Sequence, residues 1–485
     1  MGSFSGSTGG QGGASSPSSQ SGSVGLKKVM GPWKLTALGV GVTVGAGLFS
    51  LTGVAAGQHA GPAVLLSFIV AAIACGFAGL CYAELAGMMP VASGSAYSYA
   101  SRIMGRGMGW VIGWDLILEY IVAAAAVASS WSGYVVSLLR GWGIVLDPRF
   151  LAPTMTPVIM PDGRHTEAWF NAPAMLILAL VSIMLMRGMK ESSTINSIIV
   201  GLKLSIVALV IIVCLPSVAG ENFHPFIPQN TGHFGHFGLS GIMQAASMTF
   251  FAYIGFDIVS TAARDTANPQ RDLPLGILGS LLVSSVLYVA FAAVMVGVVN
   301  YHELANDPNP VATLMDRVHI PFLAPLVKLG ISIGYISVLY GLLLGQSRVA
   351  IAMSDDGLLP RLFARLNPRT HTPWTTHILI GVAACVLAGT LPIGVLGAMT
   401  SIGTLLAFVI VCVAVMILRF RSPEMERCFT VPGGPWLVPV AGALSCSAVM
   451  LSMDGVTWAR LVIWLVIGGG IYLVYGRRHG RVNGS

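Results

Sequence analysis

Hydropathy divides the chain more firmly than any motif does. Apolar runs recur at approximately 35–57, 62–88, 108–139, 172–188, 194–216, 240–262, 275–300, 322–352, 376–391, 395–419, 435–454 and 458–476. About 20 apolar residues suffice to cross the hydrocarbon core of a bilayer as an α-helix. Within lipid the backbone must satisfy its own hydrogen bonds, which leaves helices as the solution for such runs. The expected fold class is therefore an all-α membrane protein with about 12 transmembrane helices. The 9% charged content agrees, since soluble domains average about 25%. Mean hydropathy is +0.79. The runs 376–391 and 395–419 are separated only by Pro392-Ile393-Gly394.

Outside these runs the chain is thin. Residues 1–28 are nearly all Gly, Ser and small polar residues, a composition that cannot bury a core and reads as a disordered tail. Residues 29–476 form the expected membrane domain, and 477–485 a short C-terminal tail. No signal peptide pattern is seen at the start. Of the 26 lysines and arginines, 19 fall on one side of the expected spans and 6 on the other. The positive-inside rule then puts both termini in the cytoplasm of a multi-pass cell-membrane protein. The net charge of +7 lies in short loops, so it speaks for topology and against a nucleic-acid partner. The seven cysteines lack CxxC or CxxH spacing and read as small packing residues. His224, His233 and His236 lie in a Gly-rich loop and read as solvated; no metal or other cofactor is expected.

The first and sixth runs carry features that ordinary lipid-spanning helices avoid. The first contains GVGVTVGAGLF at residues 39–49, and glycine costs about 1 kcal/mol against alanine in a helix. The sixth reads FFAYIGFD at residues 250–257, with a glycine and an acid in an apolar setting. Gly41-xxx-Gly45 also fits close helix packing. Paired interruptions in corresponding spans of two halves instead point to discontinuous helices around a binding site, as in transporters built from inverted repeats. The halves would be about 35–216 and 240–419, with extra helices at 435–476. A half-helix start offers N–H groups to an anion, and a half-helix end offers C=O groups to a cation. A ligand carrying a carboxylate and an ammonium on one carbon matches both. The carboxylate is expected on the N–H groups of Gly45, Ala46 and Gly47. The ammonium is expected on carbonyls around Thr43 and around Phe251, Ala252 and Ile254.

Several stretches then resemble one family. GVGVTVGAGLFSLTG and CYAELAGMMPVASGSAYSYA are similar to the opening of the amino acid–polyamine–organocation superfamily. FFAYIGFDIVSTAARDTANPQRDLP and GQSRVAIAMSDDGLLPRLFARLNPRTHTP resemble its later linkers. GWDLILEY (113–120) and the lysine in INSIIVGLKLS suggest the cationic amino acid transporter branch and its bacterial relatives. The resemblance spans residues 30 to 430. It implies a LeuT-type fold of five-plus-five inverted repeats and secondary active transport of amino acids. Where the family usually has two acids before its NP pair, this chain has Arg264 and Asp265, so a gate built on the first acid has no counterpart here.

Charges at membrane depth are functional candidates by default. Lys203 stands about ten residues into the fifth run, ~15 Å deep at 1.5 Å per residue. Relatives with a lysine here use the ammonium in place of the cation of sodium-coupled transporters, so the resemblance implies proton coupling through Lys203. The alternative is a permanently charged lysine that only pins helices. Asp115 and Glu119 share a helix face at i and i+4. Asp115 reads as a structural cap or pair. Glu119 either faces the substrate side chain, favouring a cationic one, or bonds within the bundle. Asp257 either fixes the half-helix or joins a proton path. Phe251, Tyr253 and Phe256 are candidate gates, Glu84 a gate or packing partner, and Ser332, Tyr335 and Ser337 add polarity near Lys203.

Together these features predict an amino acid permease working by alternating access, with substrate at mid-membrane between helices 1 and 6 and the proton as coupling ion. An amino acid or polyamine exchanger without proton movement is the alternative. No arrangement of residues suggests an enzyme, and the short tails and mid-depth polarity argue against a sensor or channel.

Overall fold

The computed structural model describes residues 30–89, 96–188, 193–261, 266–305, 307, 309–318, 320, 322–370, 372–425, 427 and 429–479; at 193–196, 261 and 479 only the backbone is described. Arg264 and Asp265 lie outside the described residues. The principal helices are α1 (Pro32–Thr43), α2 (Val64–Met88), α3 (Arg106–Gly141), α4 (Ala172–Met186), α5 (Ser193–Cys214), α6 (Gly238–Thr249), α7 (Pro269–Val298), α8 (Leu323–Asp355), α9 (Trp374–Thr390), α10 (Ile393–Arg421), α11 (Leu437–Leu451) and α12 (Gly455–Ile471). Among the described residues, eight helical segments are long and apolar enough to cross a membrane, and α4, α9 and α11 are shorter apolar helices. The strands found are a small hairpin in the 140–171 loop, Pro157–Ile159 paired antiparallel with His165–Glu167.

Local signals start these helices where the chemistry favours it. Pro32 and Pro269 occupy the first turns of α1 and α7, where proline's missing N–H costs nothing. Asn171 caps α4, its Oδ1 accepting the Ala174 N–H at 3.2 Å. Ser132 of α3 donates to the same oxygen at 2.7 Å, tying α3 to the start of α4.

The long helix α3 forms the axis of the bundle and runs antiparallel to α8. Gly113 sits against Met353, Gly345 against Tyr120, and Ser130 donates to the Tyr335 hydroxyl at 2.8 Å. Around this pair, α1 packs on α7 and α5, α6 on α2 and α10, α2 on α7, α4 on α9, α3 on α10 and α9, α8 on α5 and α4, α7 on α5 and α2 on α10. Helix α12 is held outside by indoles: Trp114 stacks on Trp110 and Trp464. Trp110 donates to Gly468 O at 2.9 Å, and Trp114 and Trp464 donate to each other's carbonyls at 2.8 and 3.0 Å.

At the end of the bundle where α2 and α10 finish, Glu84 is 1% exposed. Its carboxylate accepts two bonds from Arg419, at 2.9 and 2.5 Å, and one from the Val431 N–H at 2.8 Å. Arg427 Nε stands 3.7 Å away. Glu84 is therefore a packing anchor that fastens α2 to the end of α10. Removing one partner of a buried ion pair typically costs about 3–5 kcal/mol, because the other charge stays buried. Glu84→Ala is expected to lower the thermal unfolding midpoint of the purified protein in detergent, and Glu84→Gln with Arg419→Met to lower it less. An unchanged midpoint for Glu84→Ala would contradict this assignment.

Candidate functional site

Both glycine-bearing segments are broken helices. Helix α1 stops at Thr43, and Val44 is extended, with φ −72° and ψ 101°. The chain restarts as a wide helical turn over Gly47–Leu51, continues through Thr52–Ala55, and widens again over Ala56–Ala60. Wide turns of this kind concentrate at functional sites. At the junction the Val44 N–H bonds Val40 O, and the N–H groups of Leu48 and Phe49 bond Gly45 O. Gly45, Ala46 and Gly47 begin the second segment, where N–H groups have no carbonyl one turn earlier to bond.

Helix α6 stops at Thr249 and tightens into a 3-10 turn over Phe250–Tyr253; Ile254 is then extended. Gly255 has φ +116°, a conformation open to glycine but strained for other residues. Asp257 Oδ1 accepts the Gly255 N–H at 3.2 Å, and the helix resumes at Ile258–Thr261. Asp257 thus braces this break through the backbone.

The two breaks touch. A Cβ at Gly47 would lie 2.3 Å from Ala252 Cα, and one at Gly255 would lie 2.7 Å from Val42 Cγ1. Gly45 lies only in ordinary contact with Val338, whereas Gly39 and Gly41 press against Ser280 and Val200. The glycine run therefore serves both purposes weighed from sequence: Gly39 and Gly41 for close helix packing, Gly45 and Gly47 for the break.

A small cavity of about 20 Å³ lies at this crossing, lined by Val42, Thr43, Gly45, Ala46, Gly47, Ala123, Val127, Phe251, Ile254, Val338 and Leu342. Of the residues expected to contact substrate, it brings together Thr43, Gly45, Ala46, Gly47, Phe251 and Ile254, but not Ala252. Its size suits roughly one water, so the protein is closed around it. Of the three aromatic gate candidates, Phe251 lines the cavity. Tyr253 turns toward α2, its hydroxyl donating to Phe68 O at 3.1 Å, and Phe256 packs against Tyr82 and Phe408. Glu119 does not line the cavity; it is buried beside α10, bonded to Thr404.

Lys203 is 2% exposed, and its Nζ donates to Gly41 O at 2.9 Å, in the last turn of α1. Its stem runs over Gly334 of α8, where a Cβ would be 3.0 Å from Lys203 Cγ. The ammonium thus meets one of the carbonyls that a helix end leaves open, and it does so beside the break. Ser332 and Ser337 turn back onto their own helix, bonding Lys328 O and Gly334 O.

Two further supports were not singled out from sequence. Ser284 of α7 shares a 2.9 Å hydrogen bond with Thr43, and Tyr288, one turn on, donates to Ala252 O at 2.8 Å. One face of α7 therefore holds both breaks. Its signal was available as Ser280, Ser284 and Tyr288 at i, i+4 and i+8 in an apolar run. Opposite them, Ser130 of α3 bonds both Ser50 and Tyr335, and Tyr134 donates to Phe49 O at 2.6 Å, fastening the second segment of the broken first helix to α3 and α8. Among the described residues, no group of three or more His, Cys, Asp or Glu is arranged to hold a metal ion.

Comparison with known proteins gives the family. Residues 30–472 match the model of the amino acid permease family. The chain is 40% identical over 466 residues to the methylthioribose transporter of Bacillus subtilis (strain 168), covering 96% of this chain and 97% of that protein. It is 40% identical over 463 residues to the branched-chain amino acid permease BcaP of the same organism, covering 96% of each. It is 37% identical over 404 residues to the vacuolar cationic amino acid transporter 4 of Arabidopsis thaliana, covering 82% of this chain and 64% of that protein. With its broken helices crossing at a closed cavity and a family match along nearly its whole length, the chain belongs to the amino acid permease family of the amino acid–polyamine–organocation superfamily, and it is a membrane transporter rather than an enzyme.

Proposed function

We propose that this permease imports a neutral α-amino acid with an apolar side chain, by proton symport and alternating access. The observation that carries the substrate class is the lining of the cavity. Residues of both breaks line it, together with the apolar side chains of Ala123, Val127, Val338 and Leu342. No acid lines it, and a cationic side chain there would be buried without a partner. The carboxylate falls to the N–H groups of Gly45, Ala46 and Gly47. The ammonium falls to carbonyls near Thr43 and at Phe251, Ala252 and Ile254. Ala252 O already accepts from Tyr288, but a carbonyl has two lone pairs, so Tyr288 orients it and leaves one free. The substrate class for which the bacterial relative BcaP is named, branched-chain amino acids, fits the same lining.

The architecture behind this reading is a five-plus-five repeat within twelve spans. Replacing each helix by the one five positions away carries the packing list onto itself: α1 on α7 becomes α6 on α2, α5 on α1 becomes α10 on α6, and α5 on α8 becomes α10 on α3. Helices α2 and α7, α3 and α8, and α4 and α9 are then partners across the pseudo-axis. The lysine and arginine distribution orients this bundle with both termini cytoplasmic.

Proton coupling is assigned to Lys203. Charged, it holds Gly41 O and with it the end of α1; neutral, it loses the charge that strengthens this bond. Its protonation state would thereby bias the position of α1 and the side on which the cavity opens. By linkage, proton and substrate must each raise the other's affinity.

Proteoliposomes loaded at pH 7.5 and placed in pH 5.5 buffer are expected to accumulate leucine, valine or methionine without internal substrate, and to stop when the gradient is collapsed. Uptake only into preloaded vesicles, indifferent to the gradient, would make the protein an exchanger. Lys203→Ala is expected to lose gradient-driven accumulation, and a variant that retained it in full would remove Lys203 from the coupling step. Tyr288→Phe frees Ala252 O from its donor and is expected to raise the KM for uptake several-fold with a smaller change in maximal rate; an unchanged KM would count against Tyr288 as a positioning residue.

A further inference from the structure

A larger hollow shares no residue with the cavity at the breaks. It is a groove of about 660 Å³ between α3, α4 and α9. Val135 and Leu139 of α3, Leu176 and Ala179 of α4, and Leu146 and Phe170 of the 140–171 loop line it, and no charged side chain is among its lining residues. Its width follows from how α4 is seated. Gly381 and Gly389 of α9 let α4 approach closely: a Cβ at the first would lie 2.6 Å from Ser182 Oγ, and one at the second 2.9 Å from Met175 Sδ. Cys385, between the two glycines, donates to Met175 O at 3.4 Å. The polar clamp of α4 onto α3 is at its first turn, where Asn171 meets Ser132. Drawn onto α9 along its length, α4 stands off the last turns of α3 and leaves a trough.

The trough opens toward hydrocarbon. Leu176, Leu180 and Ile183 form an exposed apolar stripe on α4, and Val382 and Val386 one on α9; in a membrane protein such a stripe is the face turned to lipid. A hollow lined by apolar side chains stays dry and takes up hydrocarbon, and this one has the volume of a small-molecule site, about 300–1,000 Å³. One end of it lies at headgroup level. Trp142 and Trp169 are exposed there, as aromatic residues at the membrane–water interface are. Arg140, which follows Leu139, is exposed at the same end. Arg149 is already engaged, paired with Asp147 at 2.6 Å and lying 4.7 Å over the Trp169 ring, and that ring reaches Phe170 of the groove through Phe150. A guanidinium at the end of an apolar trough suits a phosphate joined to a hydrocarbon chain.

We propose that this groove binds one acyl chain of a membrane phospholipid, with the phosphate on Arg140. Trp131, also in the lining, follows Ser130, whose hydroxyl bonds Ser50 and Tyr335. The bound chain therefore backs the part of α3 that holds the restarted first helix. The site is independent of what the protein carries.

The purified full chain in detergent would be mixed with a phosphatidylglycerol whose acyl chain carries a diazirine, irradiated, and its labelled peptides identified by mass spectrometry. Labelling is expected to be several-fold heavier on residues 131–146 and 170–179 than on the exposed face of α12 around Val462 and Val466. Excess unlabelled phospholipid should displace it, and glycerol phosphate, which has no chain, should not. Ala179→Trp, which fills the groove, should remove the excess labelling, and Val135→Phe serves should that variant fail to fold. Arg140→Gln should weaken labelling by the phospholipid several-fold and leave labelling by a diazirine-bearing fatty alcohol unchanged. Equal labelling of α12 and the groove, undiminished labelling in a folded groove-filling variant, or displacement by cholesterol alone would overturn the proposal. Phospholipid labelling as heavy in Arg140→Gln as in wild type would overturn the assignment of the phosphate.

Discussion

A helix that stops inside a membrane leaves N–H and C=O groups that lipid cannot satisfy, and the core of this protein is organised around two such stops. The segments after Thr43 and Thr249 cross so closely that Gly47 has no room for a Cβ against Ala252. Neighbouring side chains meet several of these groups, and one small cavity lies at the crossing. Ser284 and Tyr288 meet the breaks from α7, and Lys203 meets the end of α1 from α5. The hydroxyls of Ser130 and Tyr134 hold the restarted segment from α3. The surrounding helices form a frame that keeps broken backbone away from lipid.

The proposed function separates generic from selective recognition. Backbone groups would read the α-carboxylate and α-ammonium that all α-amino acids share. The side chain would meet Ala123 and Val127 of α3 and Val338 and Leu342 of α8, which line the cavity on helices that face each other along the axis of the bundle. On that reading, substitutions on those two helices would change the preferred side chain without touching the backbone chemistry, which accords with relatives named for branched-chain and for cationic amino acids.

Much of this was legible in the sequence, for a physical reason. Departures from an apolar background are conspicuous, so Lys203, the Gly45–Gly47 stretch and Gly255-Phe256-Asp257 stand out. What was hidden had no contrast. Val338 and Leu342 are apolar residues in an apolar helix, and their place in the cavity depends on how α8 is rotated. Ser284 and Tyr288 are common in membrane helices and gain meaning only once α7 is seen to lie against both breaks. The facing of Tyr253 and Phe256 was unreadable because the 3-10 turn at 250–253 and the extended Ile254 shift the helical phase that would have placed them. The depth of Glu119 leaves a substrate contact and a bond within the bundle equally open in the sequence, and the pitch of α3 turns it toward Thr404 of α10.

The most direct test of the account uses blocked substrates, since its central claim is that backbone from both breaks recognises both charged ends of an α-amino acid. Leucine, leucine methyl ester and N-acetyl-leucine would be compared as competitors of labelled leucine uptake, and as stabilisers of the purified protein against heat. The account predicts that free leucine competes and stabilises while neither blocked form does, because each removes one of the two charges. A blocked form that matched leucine in both measurements would mean that the corresponding break does not bind that end, and the site would have to be sought elsewhere.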